Sequence, residues 1–378
     1  MKSEIAEDSL ENPDTLTKYK SASDIAQKVL EKIKKKCIDG AVILDLCKEG
    51  DMLIEQETAK IFKDRKIMKG IAFPTCIAPN EIGAYFCPLA SDPESYRVLQ
   101  KGDLVKISLG VQIDGFAGLL GDTIIIGKED IEGRKADVLM ATYLASEAAI
   151  RLVKPGNTNW EVTEAIDKIT SSFGCKPCEG TLTYQHGKNI INGKKQFILN
   201  PSENQRKQLD TYTFETNEVY GVDISVSTGD GKIRRMETRA NIFKKTDVTY
   251  SLKLKASRRV FTEIQKKFGP FPFTIRALED EKRARMGIME CTNHNLFSPY
   301  ECMYEKEGEY IARFFTTIAL TKNGTLKLAG PTAPNINQIK TEKRLEDMVL
   351  YDLIKTPLKK KKTSSVLTKV TLTEPIST

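Results

Sequence analysis

Few side chains in this sequence are of types, and at spacings, that could carry out a reaction. Histidine occurs only twice, at His186 and His294. Neither stands in an HxxxH or HExxH pattern, so no helical metal-binding pair can be read. Serine and cysteine nucleophiles accordingly lack a histidine base at motif spacing. Cys175-Lys-Pro-Cys178 has the spacing of a redox pair or of half a zinc site. No second pair completes a tetrahedron, and the motif follows the helix-ending Gly174 where a thioredoxin-type site would open a helix. Ordinary thiols are expected there. Gly229-Asp-Gly-Lys232 reads as a tight turn, because the remaining glycines and the Lys-Ser/Thr ending of a phosphate loop are missing. His294 is expected to be an ordinary surface residue.

Charge is the stronger signal. The chain carries a formal charge of +7. Residues 252–285 hold ten Lys and Arg against four acids, and residues 355–378 hold six Lys against one Glu, which leaves the rest about −4. Positive charge gathered in this way is the footprint of a polyanion partner, against the plainer alternative of two solvated faces. In KLKASRRVFTEIQKK (253–267), Val260, Phe261 and Ile264 can face a core. Lys253, Lys255, Arg258, Arg259, Lys266 and Lys267 then project outward, where each phosphate contact would release counterions and make affinity salt-dependent. No RRM or KH signature is present, so recognition would be of backbone shape. Lys359, Lys360, Lys361 and Lys362, in TPLKKKKTS, read as a localisation or RNA-contacting cluster, and Lys18 and Lys20 as a smaller one.

The elements that must position these residues can be read from composition and period. With 40% apolar and 29% charged residues over 378 positions, the chain has the make-up of a globular protein with a sizeable core. No run of 18 apolar residues occurs and the N-terminus is polar and acidic, which argues against membrane insertion and a secretory signal. Eight scattered cysteines without an export signal suggest reduced thiols in the cytoplasm or nucleus. Residues 1–16 are expected to be disordered. A helix is predicted over 22–37, with Ser21 or Ser23 as its cap, and a second near 49–63. Short β-branched runs over 70–125 read as strands, followed by helices over 134–153 and from Thr158 to Gly174. Strands return between about 178 and 246. A basic helical stretch over 253–288 is broken at Gly269–Pro272, and strands close the fold over 309–328. Residues 341–378 read as a basic, flexible tail.

One internal similarity bears on architecture. DLVKISLGVQIDG (103–115) and EVYGVDISVSTGDG (218–231) each run from an acid through alternating apolar residues to a glycine-containing turn. A polar side chain follows five positions after the acid in each, Ser108 and Asp223. A duplicated unit of strand pair followed by helix pair would place these two facing each other at the centre.

The motifs GIAFPT (70–75), NxxxAYFCP (80–88), KGDLVKI-LGV (101–111), NEVYGVD (217–223) and EYIARFFTTIALTKNG (309–324) resemble type 2 methionine aminopeptidases. TKYK (17–20), DIAQKVL (24–30), GRKADV (133–138), RLVKPGN (151–157), FPFTIRALEDEKRARMG (271–287) and YEKEGE (304–309) are similar to a non-peptidase branch, the proliferation-associated, ErbB receptor-binding proteins. The resemblance covers about residues 14–335. It implies an α+β pita-bread fold with a pseudo-twofold over 17–340, and a winged-helix-like helical insert at about 248–300.

The peptidase relatives hold two divalent ions with histidines and carboxylates. The resemblance puts those ligand positions at Tyr85, Ser108, Leu119, Tyr184, Asp223 and Phe315, of which only Asp223 is a carboxylate. One carboxylate cannot hold a dinuclear site. No metal or other cofactor and no peptidase activity are therefore expected, although a small shift of alignment would bring His186 or Asp122 toward the site. Within this branch the resemblance implies binding to the ribosomal large subunit or other structured RNA through the basic insert, in cytoplasm, nucleus and nucleolus, with a role in growth, ribosome biogenesis or translation. The alternative is a scaffold for protein partners, including receptor or transcription-regulatory proteins.

Overall fold

The computed structural model describes residues 8–127 and 130–358, so the first seven residues and the Lys359–Lys362 cluster lie outside the described residues. The chain opens with α1 (Pro13–Lys36) and α2 (Ile43–Ala59), then β1 (Lys69–Pro79), β2 (Ile82–Ala84), β3 (Leu104–Ile113), β4 (Phe116–Ile125) and β5 (Ile131–Glu132). A second set follows: α3 (Gly133–Leu152), α4 (Asn159–Ser172), β6 (Lys176–Pro177), β7 (Leu182–His186), β8 (Gln196–Ile198), α5 (Glu203–Gln208) and β9 (Val219–Ser227). Next come β10 (Ile242–Lys245), α6 (Lys255–Lys267), β11 (Phe273–Thr274), α7 (Glu281–Asn293), β12 (Phe297–Tyr300) and β13 (Met303–Tyr304). The chain closes with β14 (Ile311–Thr321), β15 (Gly324–Ala329), β16 (Ile339–Lys340) and α8 (Met348–Lys355).

Helix α1 starts well before residue 22, and residues 13–16 are not disordered. Pro13 occupies the first turn, where its missing N–H costs nothing, and the Asn12 side chain accepts the Asp14 N–H as a cap. Ala22, Ala26, Val29, Leu30 and Ile33 then recur at helical spacing on one fully buried face, which leaves Ser21 and Ser23 inside the helix. Helix α2 likewise begins earlier than expected, at Ile43.

One large sheet runs in the order β1-β3-β4-β14-β9-β7-β8, with β15 beside β14 and β6 beside β9. Strands β3 and β4 form a hairpin whose turn, Asp114-Gly115, takes φ of 53° and 84°, the left-handed pair that a two-residue hairpin requires. In the second half the partner of β9 is β14, and the insert lies between them in sequence. The duplicated unit therefore differs from the one expected: the helix pair precedes its strands. Helices α1 and α2 cover β1, β3 and β4 in one core, and α3 covers β9 and β14 in another, with α4 packed beside it over β6 and β8.

The insert is a satellite with its own core. Its sheet, β11-β10-β12, and helices α6 and α7 bury Phe243, Val260, Ile264, Phe273, Ile288 and Phe297, so the unit begins at Ile242. At the other end, order continues past residue 341. Asp347 accepts from the Val349 and Leu350 N–H groups to cap α8, while Leu345 and Leu350 are buried in the α3 core. The lysines around them hid this short apolar stretch.

Gly118 on β4 marks how closely helix and sheet approach. A methyl group there would stand 2.8 Å from the Ser23 Cα of α1. Gly118→Ala is expected to destabilise the protein by about 1–3 kcal/mol in denaturant unfolding; an unchanged midpoint would show that this packing is looser than described.

Candidate functional site

Strand register aligns one row of residues across the large sheet. Cys76 on β1 lies opposite Ser108, Ser108 opposite Gly121, Gly121 opposite Phe315, and Phe315 opposite Asp223. Opposed residues in a pleated sheet share a face. On that face is a cavity of about 70 Å³ whose walls include Tyr85, Ser108, Leu119, Tyr184, Asp223 and Phe315. The six positions therefore converge on one place, as does His186. Asp122 does not: strand alternation turns it to the other face, where it pairs with Lys34 of α1 at 2.7 Å. At about 70 Å³ the cavity is small against the 300–1,000 Å³ usual for ligand pockets.

The decisive residue was not among those expected. Arg313, two residues before Phe315 on β14, directs its guanidinium along the same face. It donates to Asp223 twice, Nε to Oδ1 at 2.7 Å and Nη2 to Oδ2 at 2.6 Å. Both side chains are 8% exposed. Burial pulls the guanidinium's proton affinity down, but the carboxylate beside it more than compensates, so Arg313 stays charged. The same guanidinium lies 5.5 Å from the Tyr85 ring and 5.7 Å from the Phe315 ring, so aromatic faces supply the rest of its environment. Its signal in the sequence was a charge inside the apolar run IARFFTTIAL, which a strand tolerates only with a buried counter-charge.

Two divalent ions do not fit this donor set. The single carboxylate is already neutralised, and the other five positions offer a serine hydroxyl, two phenols, a leucine and a phenylalanine. Among the described residues, no group of three or more His, Cys, Asp or Glu side chains is placed to hold a metal ion. Bulk has taken the space as well. Tyr85 packs its ring 5.8 Å from Phe73 and 5.1 Å from Tyr300 of the insert. To do so its backbone adopts φ of 63°, which bulky side chains seldom accept. Burial also pushes the Tyr85 phenol up to about 12, so it remains neutral.

His186, which a small shift of alignment would bring toward the site, lies two positions past Tyr184. Two positions along a strand restore the facing, so both line the cavity. His186 is buried, its Nδ1 has no hydrogen-bond partner, and burial lowers its pKa to about 4. It is therefore a neutral imidazole at physiological pH.

The basic residues divide. Lys253, Lys255, Arg258, Arg259, Lys266 and Lys267 are all exposed on or beside α6. Lys255, Arg258, Arg259 and Lys266 line an open groove with Glu263 and Glu279, and Arg259 pairs with Glu279 at 3.0 Å. Arg276 and Arg285, counted in the same basic stretch, are turned inward to Asp51 and Asp92. Lys18 is also withdrawn: it is buried between Asp14 and Asp114 at 2.7 and 2.6 Å, which removes it from any surface signal, whereas Lys20 is exposed. Cys175 and Cys178 are buried free thiols, and His294 stacks on Tyr250 with ring centroids 3.7 Å apart.

Arg313→Ala should destabilise the fold by about 3–5 kcal/mol by leaving Asp223 charged and unpaired, whereas Arg313→Met with Asp223→Leu should recover most of that loss. Equal losses in the single and double variants, measured by chemical denaturation, would contradict the pairing. His186 gives a pH signature. The unfolded chain takes up this proton near pH 6.5 and the folded chain only near 4, so stability falls as pH drops through that window and is level above it. In His186→Gln that component, about 3 kcal/mol, should vanish, and parallel wild-type and variant curves would contradict it.

Comparison with known proteins agrees with this geometry. The model of metallopeptidase family M24 matches residues 17–235. A curved DNA-binding protein of Schizosaccharomyces pombe is 49% identical over 359 residues, covering 94% of each chain. An ERBB-3 binding protein 1 of Arabidopsis thaliana is 42% identical, covering 94% of this chain and 89% of its own. The solved structure of a thermophilic Arx1 superposes with a TM-score of 0.87 at 37% identity, covering 92% of this chain and 99% of its own. The chain thus belongs to the M24 metallopeptidase family, with its pita-bread fold, and within it to the branch of the proliferation-associated and ERBB-3-binding proteins.

Proposed function

We propose that this protein acts by binding structured RNA, with the ribosomal large subunit as its main partner, and that it does not hydrolyse peptides. The observation that carries the reading is the face of α6: five exposed Lys and Arg side chains, with Lys253 just before them, on a helix anchored beneath by Val260 and Ile264. Such a surface matches the phosphate backbone of a folded nucleic acid. The S. pombe relative, named for binding curved DNA, has the same chemical problem to solve, a bent polyanion. On this reading the M24 scaffold holds the insert in place, and growth or translation is regulated through occupancy of the ribosome. The protein works in cytoplasm and nucleus, with Lys359–Lys362 contributing to entry.

A second reading, docking of a protein partner, is favoured by Met286 and Met289. They stand one turn apart on α7 and are 60% and 65% exposed. The relative named for binding ERBB-3 belongs with this reading.

Sedimentation with large ribosomal subunits across a salt series separates the two. Wild-type association should weaken with salt. Arg258→Glu, Arg259→Glu, Lys266→Glu and Lys267→Glu combined should abolish it or lower the log–log salt slope by about 3. Binding that ignores both salt and these substitutions would favour the methionine face, and absence of binding at low salt would overturn the ribosome reading.

A further inference from the structure

The loop from Thr246 to Leu254, between β10 and α6, puts apolar side chains in water. Val248, Tyr250 and Leu254 are 46%, 36% and 52% exposed, although Leu252 among them is buried in the core of the insert. The loop is nonetheless held at both ends. The Thr246 N–H donates to the Leu296 carbonyl at 2.9 Å, and its hydroxyl donates to the Asn295 carbonyl at 2.6 Å. At the far end the Lys253 and Leu254 N–H groups donate to the Glu290 carboxylate at 2.8 and 3.2 Å. An anchored loop that keeps apolar groups exposed beside charges marks a contact surface.

The loop borders a cavity of about 430 Å³, which lies within the range of ligand pockets where the central cavity does not. Tyr250, Phe261 and Leu296 line it, with Lys245 and Asp247 as its charged groups. Each of the two rings is backed by another. Tyr250 stacks on His294 with centroids 3.7 Å apart and Phe261 on Phe297 at 5.8 Å, both within 13° of parallel. The Lys245 ammonium lies 5.5 Å from the centre of the Phe261 ring. Arg258 joins this cavity to the cationic groove. Its Nη1 donates at 3.1 Å to the carbonyl of Leu252, which also borders the cavity, and the same side chain lines the groove with Lys255 and Lys266.

We propose that this cavity receives one unpaired nucleobase of a structured RNA whose flanking phosphates lie along the α6 groove. The inference deepens the RNA reading and rests on it. A nucleotide has apolar base faces, polar base edges and a charge only on its phosphate, and the two adjoining depressions are divided in the same way. The base stacks on Tyr250 against the apolar floor of Phe261 and Leu296. Lys245 donates to a ring nitrogen or carbonyl oxygen on the base edge, and Asp247 accepts from an amino group. Asp247 also keeps phosphate out of the cavity, while Lys255, Arg258 and Lys266 draw it to the groove. A base inside a duplex has both faces covered by its neighbours, so the cavity selects loops and bulges. An apolar peptide segment would use the rings but leave the adjoining cationic groove without a partner.

The test is fluorescence anisotropy of the full chain with a labelled RNA hairpin carrying a short mixed-sequence loop, against the same stem closed by abasic residues. Wild type should bind the loop with bases roughly tenfold more tightly. Aminopurine placed in that loop should lose fluorescence on binding as it stacks. Tyr250→Ala, folded by circular dichroism, should remove both the preference and the quenching and leave the salt slope unchanged, whereas Tyr250→Trp should keep them. Equal affinity for the two hairpins, with the salt dependence intact, would overturn the base site and leave the RNA reading standing. No binding of either hairpin at low salt would overturn both. Loss of ribosome sedimentation in Tyr250→Ala with hairpin binding unchanged would assign the cavity to a protein and overturn the proposal.

Discussion

A guanidinium and a carboxylate taken out of water at the centre of a large sheet have to arrive together. Either alone would leave a buried, uncompensated charge costing several kcal/mol. Arg313 and Asp223 meet this condition with two parallel hydrogen bonds, and much of the central architecture follows from holding them there. The diagonal between β14 and β9 fixes their register. The rings of Tyr85 and Phe315 close over the guanidinium, and Tyr300 brings the insert against Tyr85. The internal cation satisfies the one carboxylate of this row.

The same constraint separates the two regions of the molecule. The sheet centre is closed, largely apolar and electrically balanced within itself. The insert is the reverse: its core is small and aromatic, and its cationic face stays in water. Arg276 and Arg285 tie this satellite to Asp51 and Asp92 of the main body, so part of the insert's positive charge serves as anchorage. The remaining lysines and arginines form an exposed surface on the outer side of α6, in which Arg259 pairs with Glu279. A rigid cationic face suits a partner whose phosphates are themselves fixed in space.

What was legible in the sequence follows physical lines. Strand alternation and the motif resemblance placed Ser108, Leu119, Asp223 and Phe315 at one centre because a period of two and a fixed register leave little freedom. The helix-pair order was misread because the insert separates β9 from its partner β14, so sequence neighbours are not sheet neighbours. The start of α1 was legible in principle through Asn12 and Pro13, yet the polar composition of that segment outweighed the capping signal. In residues 341–358 the short apolar stretch MVLYDLI was outweighed by the lysines on either side of it, and the burial of Leu345 and Leu350 reveals its place. Arg313 and the reach of Arg276 depend on contacts between strands and helices far apart in sequence, which no local pattern records. Helix α6 was the easier case, since a basic amphipathic helix declares both faces in one turn.

On the proposed reading, Arg313 supplies the positive charge at this row and the fold serves as a scaffold for binding. Calorimetric titration of the full chain with Mn(II) or Co(II), alongside an assay for release of methionine from a short methionyl peptide, tests it most directly. No stoichiometric metal binding at the cavity and no methionine release are expected. Binding of two ions that is lost in Asp223→Asn, together with methionine release, would contradict it.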